Sequence, residues 1–222
     1  MKFEAILFDA AETLFTTRGS VGEIYGRVAQ EYGSTASFPE IQAAFLRQFR
    51  HSGPLSTEDE KTWWKDVVFR VFQDVGMIER FDEFFEKVYD QFRDARGWTL
   101  FPETREVLGG LKDRGIKLGV VSNFDSRVYN VMRALEILSF FDAVTISSET
   151  GYAKPQPEIF KLAAIALHTE PARVLLVGDS LRDDVIAGRQ AGLQTVLIDR
   201  SGKHQFQEVA KIRNLREVFV FL

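Results

Sequence analysis

The chain has no cysteine at all. That excludes disulfides, thiolate metal sites and thiol catalysis. It has no excess of basic residues either: 28 Lys and Arg face 32 Asp and Glu, a net charge of −4. Such a balance lacks the electrostatic footprint that nucleic acid requires. No apolar run approaches membrane-spanning length, and the N-terminus enters a strand pattern without signal-peptide anatomy. A cytoplasmic protein with neither a nucleic-acid nor a membrane partner is expected. Only three histidines are present, His51, His168 and His204, and they share no metal-ligand spacing. There is no glycine loop of the nucleotide-triphosphatase type and no internal repeat.

What is present reads as a globular α/β chain. At 222 residues, 45% of them apolar, it can bury a substantial core. Five short apolar runs rich in β-branched residues read as strands: Phe3–Phe8, Lys117–Val121, Ala143–Ile146, Val174–Val177 and Thr195–Ile198. Helical patterns fall between most of them, at Thr104–Arg114, Ser126–Leu135, Glu158–Leu167 and Asp183–Ala191. Alternation of this kind predicts βαβ units in a parallel, doubly wound sheet. Consecutive apolar residues, as in "VLLVGD", suit strands covered on both faces.

The interval 16–97 breaks the alternation and reads as four helices without a strand. Val21, Ile24, Tyr25, Val28 and Tyr32 recur at helical spacing, as do Trp64, Val67, Val68, Val71 and Phe72. Phe81, Phe84, Phe85, Val88 and Phe92 do the same, and a weaker pattern joins Ile41, Ala44, Phe45 and Phe49. These stripes account for much of the high Phe content as bundle core. Thr57, in the loop "HSGPLSTED", is expected to cap the helix that begins near Glu60. The division expected is a core of residues 1–15 and 98–222 with a helical insert of 16–97. The closing stretch "NLREVFVFL" suits either a helix or an edge strand, with Val218 and Phe219 docking on the core.

Open α/β sheets bind ligands at the carboxyl ends of their strands. Those ends carry Asp9 after the first strand, Ser122 and Asn123 after "LGVV", and Gly178 and Asp179 after "VLLV". Lys154 follows the third strand, just ahead of prolines that start a helix. Singly, each has an ordinary reading: a turn residue, a helix cap, a solvated lysine, or acids (Asp183, Asp184) complementing a helix dipole. Together, in order, at successive strand ends, they compose a site of acids, a hydroxyl and a cation.

The four stretches "FDAAETLF", "VVSNFD", "AKPQPEIF" and "VGDSLRDDVIAG" resemble, in order, the four motifs of the haloacid dehalogenase superfamily. The resemblance runs nearly end to end. It is closest to members with an inserted helical cap, such as phosphoglycolate phosphatases and 2-haloacid dehalogenases. It implies a Rossmann-like core with a four-helix cap domain at 16–97, and an Mg²⁺-dependent phosphohydrolase acting on a small phosphorylated metabolite, as monomer or homodimer. By resemblance, Asp9 would attack phosphorus and form an aspartyl-phosphate. Ser122 and the backbone N–H of Asn123 would bind phosphoryl oxygens, and Lys154 would pair with both phosphoryl group and Asp9. Mg²⁺ would bind Asp9, the carbonyl of Ala11 and Asp179, while Asp183 or Asp184 would hold a coordinated water.

The sequence departs from that pattern at one position. Family phosphatases carry an Asp two residues after the nucleophile, which protonates the leaving group and later activates water. Here that residue is Ala11, and Glu12 stands where glycine is usual. The Ala11 carbonyl can still bind a metal, but its side chain cannot move a proton. Loss of such a group costs about 10²–10⁴-fold in rate. This leaves a slow or specialised phosphatase, a binding protein on the same scaffold, or a 2-haloacid dehalogenase, since family dehalogenases also lack that acid. The dehalogenases use no metal, however, and Asp179, Asp183 and Asp184 would then crowd negative charge around Asp9. Members that cleave carbon–phosphorus bonds use a cap lysine, for which only Lys61, Lys65 and Lys87 offer themselves.

Overall fold

The computed structural model of the chain describes residues 3–52, 59–204 and 209–222. Its strands in chain order are β1 (Ala5–Phe8), β2 (Phe15–Thr17), β3 (Trp98–Leu100), β4 (Lys117–Ser122), β5 (Ala143–Ile146), β6 (Val174–Gly178), β7 (Gln194–Ile198) and β8 (Lys211–Ile212). Six of them form one sheet in the order β5-β4-β1-β6-β7-β8, and each neighbouring pair runs parallel. β1 and β6 are buried at every position, as continuous apolar runs covered on both faces must be.

From β1 the chain builds outward through β4 and β5, then crosses back to β6 on the other side of β1. The switch in winding therefore falls between β1 and β6. At such a switch point open α/β sheets bind ligands, outside the carboxyl ends of the strands. On one face, Ala5, Leu7, Val174 and Leu176 meet Ile159, Phe160 and Ala163 of the helix Pro157–Ala166, and Leu167 just past its end, in a buried cluster.

The helices are α1 (Val21–Glu31), α2 (Phe38–His51), α3 (Glu60–Val75), α4 (Phe81–Gln91), α5 (Thr104–Lys112), α6 (Arg127–Ala134), α7 (Ser147–Thr150), α8 (Pro157–Ala166) and α9 (Ala187–Gln190). Contacts divide the chain into two compact units. One runs to Thr16 and takes up Leu100–Ser126 and Glu136–Leu222; the other holds Thr17–Thr99 together with Arg127–Leu135. No described helix is long and apolar enough to cross a membrane.

In the helical unit, α1 and α2 each open with a serine capping box, Ser20 with Glu23 and Ser37 with Glu40. The Thr57 cap expected ahead of α3 lies outside the described residues, and Asp59 caps that helix by accepting from the Thr62 N–H. Aromatic edge-to-face pairs such as Phe72–Phe84 (4.7 Å) and Tyr25–Phe92 (5.8 Å) fill the bundle. The Arg127 guanidinium of α6 lies over the rings of Tyr89 (4.2 Å) and Trp64 (5.1 Å), which ties this helix to the bundle.

Two details differ from the sequence reading, and one alternative it left open is decided in favour of a helix. The interval 16–97 is not strand-free, because β2 extends to Thr17 and pairs with β3 in a two-stranded sheet. The segment expected as one helix from Asp183 to Ala191 is a π-helical turn, Leu181–Ile186, followed by the short α9. The chain closes as a 3₁₀ helix, Leu215–Phe221, started by an Asn214–Glu217 capping box, with Val218 buried and Phe219 half-buried beneath Arg114.

Close approach decides one position in the bundle. A Cβ added at Gly22 would lie 2.3 Å from the Phe38 carbonyl oxygen and 2.7 Å from the Gln42 nitrogen, both backbone atoms that cannot swing aside. Gly22→Ala is expected to destabilise by about 1–3 kcal/mol, outweighing the roughly 1 kcal/mol that alanine usually adds to a helix. The check is a lowered urea midpoint at unchanged slope.

Candidate functional site

The switch point gathers the charged residues. Asp9 is the first residue past β1, and its N–H donates to the Val177 carbonyl at 2.9 Å, so the parallel ladder with β6 fixes its backbone. Asp179 follows directly after β6, half-buried. Lys154 approaches from the loop between α7 and α8. Its Nζ donates to Asp9 Oδ1 at 2.5 Å and to Asp184 Oδ1 at 2.7 Å, with all three side chains almost wholly buried. Asp9, Asp179 and Asp184 each bring a carboxylate oxygen into one group within 4.8 Å of one another.

Each charge is held from behind. The Asn123 side chain pairs with the backbone of Lys154 in both directions: its Oδ1 accepts from the Lys154 N–H (2.7 Å) and its Nδ2 donates to the Lys154 carbonyl (2.9 Å). That is how a strand-end amide sets the depth of the lysine. Asp184 Oδ2 accepts from the Ser180 N–H at 3.0 Å. A Cβ at Gly178 would stand 2.3 Å from the Asp184 carboxyl carbon, so glycine is required for this acid to enter. Of the two adjacent acids, only Asp184 joins the cluster. Asp183 turns back on Ser180, whose hydroxyl donates to it at 3.2 Å and accepts from its N–H at 3.0 Å. Ser122, buried at the end of β4, lines the same edge of the sheet.

Three carboxylates around one ammonium leave an excess of negative charge in a dry place. Burial raises the Asp9 carboxyl to about 6; Asp184 adds to the rise and Lys154 opposes it. Burial, then the charges of Asp9 and Asp184, push Asp179 to about 8. Burial pulls Lys154 down, but Asp184 and Asp9 outweigh it and hold the ammonium above its ordinary range. The donors are all hard oxygens, the chemistry that Mg²⁺ selects.

The loop after Asp9 adds a further oxygen. The Ala10 carbonyl accepts from the N–H groups of Leu14 and Phe15, Leu14's from Phe101 N–H and the Thr104 hydroxyl, and Phe15's from Glu12 N–H. The carbonyls of Glu12 and Thr13 accept from Arg200. The Ala11 carbonyl alone in this loop accepts no hydrogen bond from the described residues, which suits the metal-binding role implied for it. Glu12 sits at φ +62°, the left-handed region that favours glycine, and its carboxylate accepts from the Thr16 hydroxyl at 2.6 Å.

The remaining sequence candidates lie elsewhere. Lys61, Lys65 and Lys87 are exposed and paired with Glu86, Asp82 and Glu31. Hydrogen bonds to those partners raise Lys65 and Lys87, opposite to what a Schiff-base lysine needs. His51 faces the Arg47 carbonyl in α2, far in sequence from His168 and His204. Arg200 went unread in the sequence, although it follows a strand end, β7, just as Asp9 does.

Comparison with known proteins shows the family. Residues 3–192 match the family model of the haloacid dehalogenase-like hydrolases, and the chain belongs to that family of enzymes. It is 30% identical over 207 residues to haloacid dehalogenase-like hydrolase domain-containing protein 3 of Mus musculus, covering 89% of this chain and 82% of that one. It is 32% identical over 181 residues to a phosphoserine phosphatase of Thermus thermophilus, covering 77% of this chain and 71% of the relative. The fold is shared with the crystal structure of an L-2-haloacid dehalogenase at a TM-score of 0.80 and 21% identity, covering 100% of this chain and 99% of that one.

Both raised carboxyl groups bind their protons more tightly folded than unfolded. The stability they contribute is complete below about pH 4 and is lost as pH rises through about 6 for Asp9 and about 8 for Asp179. Metal-free protein is therefore expected to melt at progressively lower temperature from pH 5 to pH 9. Asp179→Asn should remove the part of that decline that falls near pH 8, as followed by thermal melts in chelator.

Proposed function

We propose that the chain is an Mg²⁺-dependent phosphohydrolase of a small phosphorylated metabolite, acting in the cytoplasm through an aspartyl-phosphate on Asp9, as a monomer or homodimer. The observation that carries this reading is the Asp9–Asp179–Asp184 cluster with Lys154 as its buried cation. Three carboxylates converging on one ammonium leave negative charge that a divalent cation would balance. Asp9, Asp179 and the Ala11 carbonyl would hold Mg²⁺, with Asp184 beside them. When bound, the ion supplies neutralisation of charge on the phosphoryl oxygens.

The residues divide the remaining work. Lys154 orients the Asp9 carboxylate through Oδ1, and one oxygen of that carboxylate attacks phosphorus as the bond to the leaving oxygen breaks. The Lys154 ammonium, the Ser122 hydroxyl and the Asn123 N–H stabilise the transferring group, positioning rather than covalent chemistry being most of what phosphoryl transfer requires. Water then attacks the aspartyl-phosphate, releases phosphate and restores Asp9. The helical unit plays the part of a cap that selects substrate.

Ala11 sets the limit. A departing alkoxide needs a proton, and Ala11 offers none. Phosphoserine, the substrate in the name of the Thermus relative, leaves as such an alkoxide, so we expect it to turn over slowly. Acyl or aryl phosphates leave without that help. Ala11 equally suits a dehalogenase or a binding protein. Metal-independent halide release from a 2-haloacid would replace this reading with the first, and Mg²⁺ binding without turnover on any phosphate ester with the second.

Two measurements test the proposal. Para-nitrophenyl phosphate should be hydrolysed with Mg²⁺ and not in chelator, and Asp9→Asn should abolish the activity; turnover that survives this change would sink the mechanism. Ala11→Asp should raise rates by about 10²-fold or more on alkyl phosphates, with little change on aryl phosphates. An equal gain on both would show that proton transfer is not what the site lacks.

A further inference from the structure

The geometry points to Arg200 as a positioning residue that aims the Ala11 carbonyl at the metal site. This rests on the Mg²⁺ reading above and goes beyond it, since Arg200 belongs to none of the four motif stretches. Its guanidinium donates through Nη2 to the Thr13 carbonyl at 2.7 Å and through Nε to the Glu12 carbonyl at 3.4 Å. Two consecutive carbonyls of the loop are thereby turned toward Arg200.

Arg200 is itself firmly placed. It lies 3.4 Å from the centroid of the Phe101 ring, and its Nη1 donates to Glu103 Oε1 at 2.7 Å. Glu103 is only 4% exposed, and the same oxygen accepts from the Leu215 N–H at 3.2 Å. Burial works to raise the Glu103 carboxyl, yet Arg200 and the backbone amides hold it below its ordinary range, so it remains a charged anchor. A planar fork with donors on three nitrogens can stack and bond in three directions at once, which a lysine cannot.

The link to Ala11 is a torsion. Rotation about φ of Glu12 turns the Ala11–Glu12 peptide, and that peptide's oxygen is the Ala11 carbonyl. Glu12 is held at φ +62°, a conformation that a non-glycine residue keeps only where its surroundings impose it. The Glu12 N–H holds that peptide from one side by donating to the Phe15 carbonyl at 2.7 Å, and Arg200 holds the loop from the other by fixing the carbonyl on the far side of Glu12 and the next one along. Without Arg200 the strained φ of Glu12 rests on the Phe15 bond alone, and the Ala11 oxygen is less firmly aimed.

The test is calorimetric titration of Mg²⁺ into chelator-treated wild type, Arg200→Gln, Glu103→Gln and Arg216→Gln, with folding of each checked by circular dichroism. Arg200→Gln should weaken Mg²⁺ binding about tenfold or more, the range that loss of a group supporting a metal ligand produces. Glu103→Gln should shift it the same way by less. Arg216→Gln breaks only the exposed pair with Glu106 and should leave affinity unchanged. A folded Arg200→Gln protein whose affinity stays within twofold of wild type overturns the inference. If Arg200→Gln does not fold, an unaltered affinity in Glu103→Gln overturns it instead. A wild type that binds no Mg²⁺ fails at the preceding step, which marks the fault as the metal reading and removes the inference with it.

Discussion

One buried ammonium holds this site together. Lys154 bridges Asp9 and Asp184 where water does not screen them, and at low dielectric such a bridge is strong only because each charge answers the others. Removing one partner of a buried pair typically costs about 3–5 kcal/mol, whereas replacing the whole set by apolar side chains is often neutral. The cluster is therefore poorly explained as a device for stability. Its supports make better sense as placement: Asn123 grips the backbone of the lysine, and Gly178 clears the way for Asp184. Three strand ends, a loop and a helical turn converge so that one carboxylate, Asp9, sits beside a cation and two further acids.

On the reading proposed, the site would be equipped for attack and would lack a group for proton transfer. Two further acids and a cation stand beside Asp9. At Ala11 the side chain is a methyl group, which can shuttle no proton. Yet the backbone of that same residue remains spoken for, because its neighbours' carbonyls are tied down and its own is left free of the described residues. A loop can lose a reagent while keeping its shape when the shape is set by main-chain bonds from elsewhere, here from Thr104, Phe101 and Arg200.

The parallel core was legible because strands covered on both faces read as unbroken apolar runs, and all five expected strands are present. β2, β3 and β8 were not, being two or three residues long and specified by their partners rather than by their own composition. Asp9, Ser122, Asp179 and Lys154 could be picked out because strand ends in an open sheet collect ligands. The choice between Asp183 and Asp184 could not. It depends on a π-helical turn that sends neighbouring acids in different directions, and nothing in "LRDDVI" distinguishes that turn from a regular one. Grouping Arg127–Leu135 with the bundle was equally hidden, since aromatic stacking on Arg127 joins residues far apart in sequence.

The central strand has a consequence for how the molecule comes into being. β1 pairs with residues 117–120 on one side and 174–177 on the other, so the first strand made waits longest for both its neighbours. During synthesis, the bundle segments Thr17–Thr99 emerge well before β6 exists. Asp9 and Lys154 cannot meet until most of the chain has left the ribosome. Non-local pairing of this kind slows folding and leaves an apolar strand exposed in the interim. In a newly made molecule the cluster at the strand ends is therefore among the last features to assemble, because Asp179 and Asp184 follow β6.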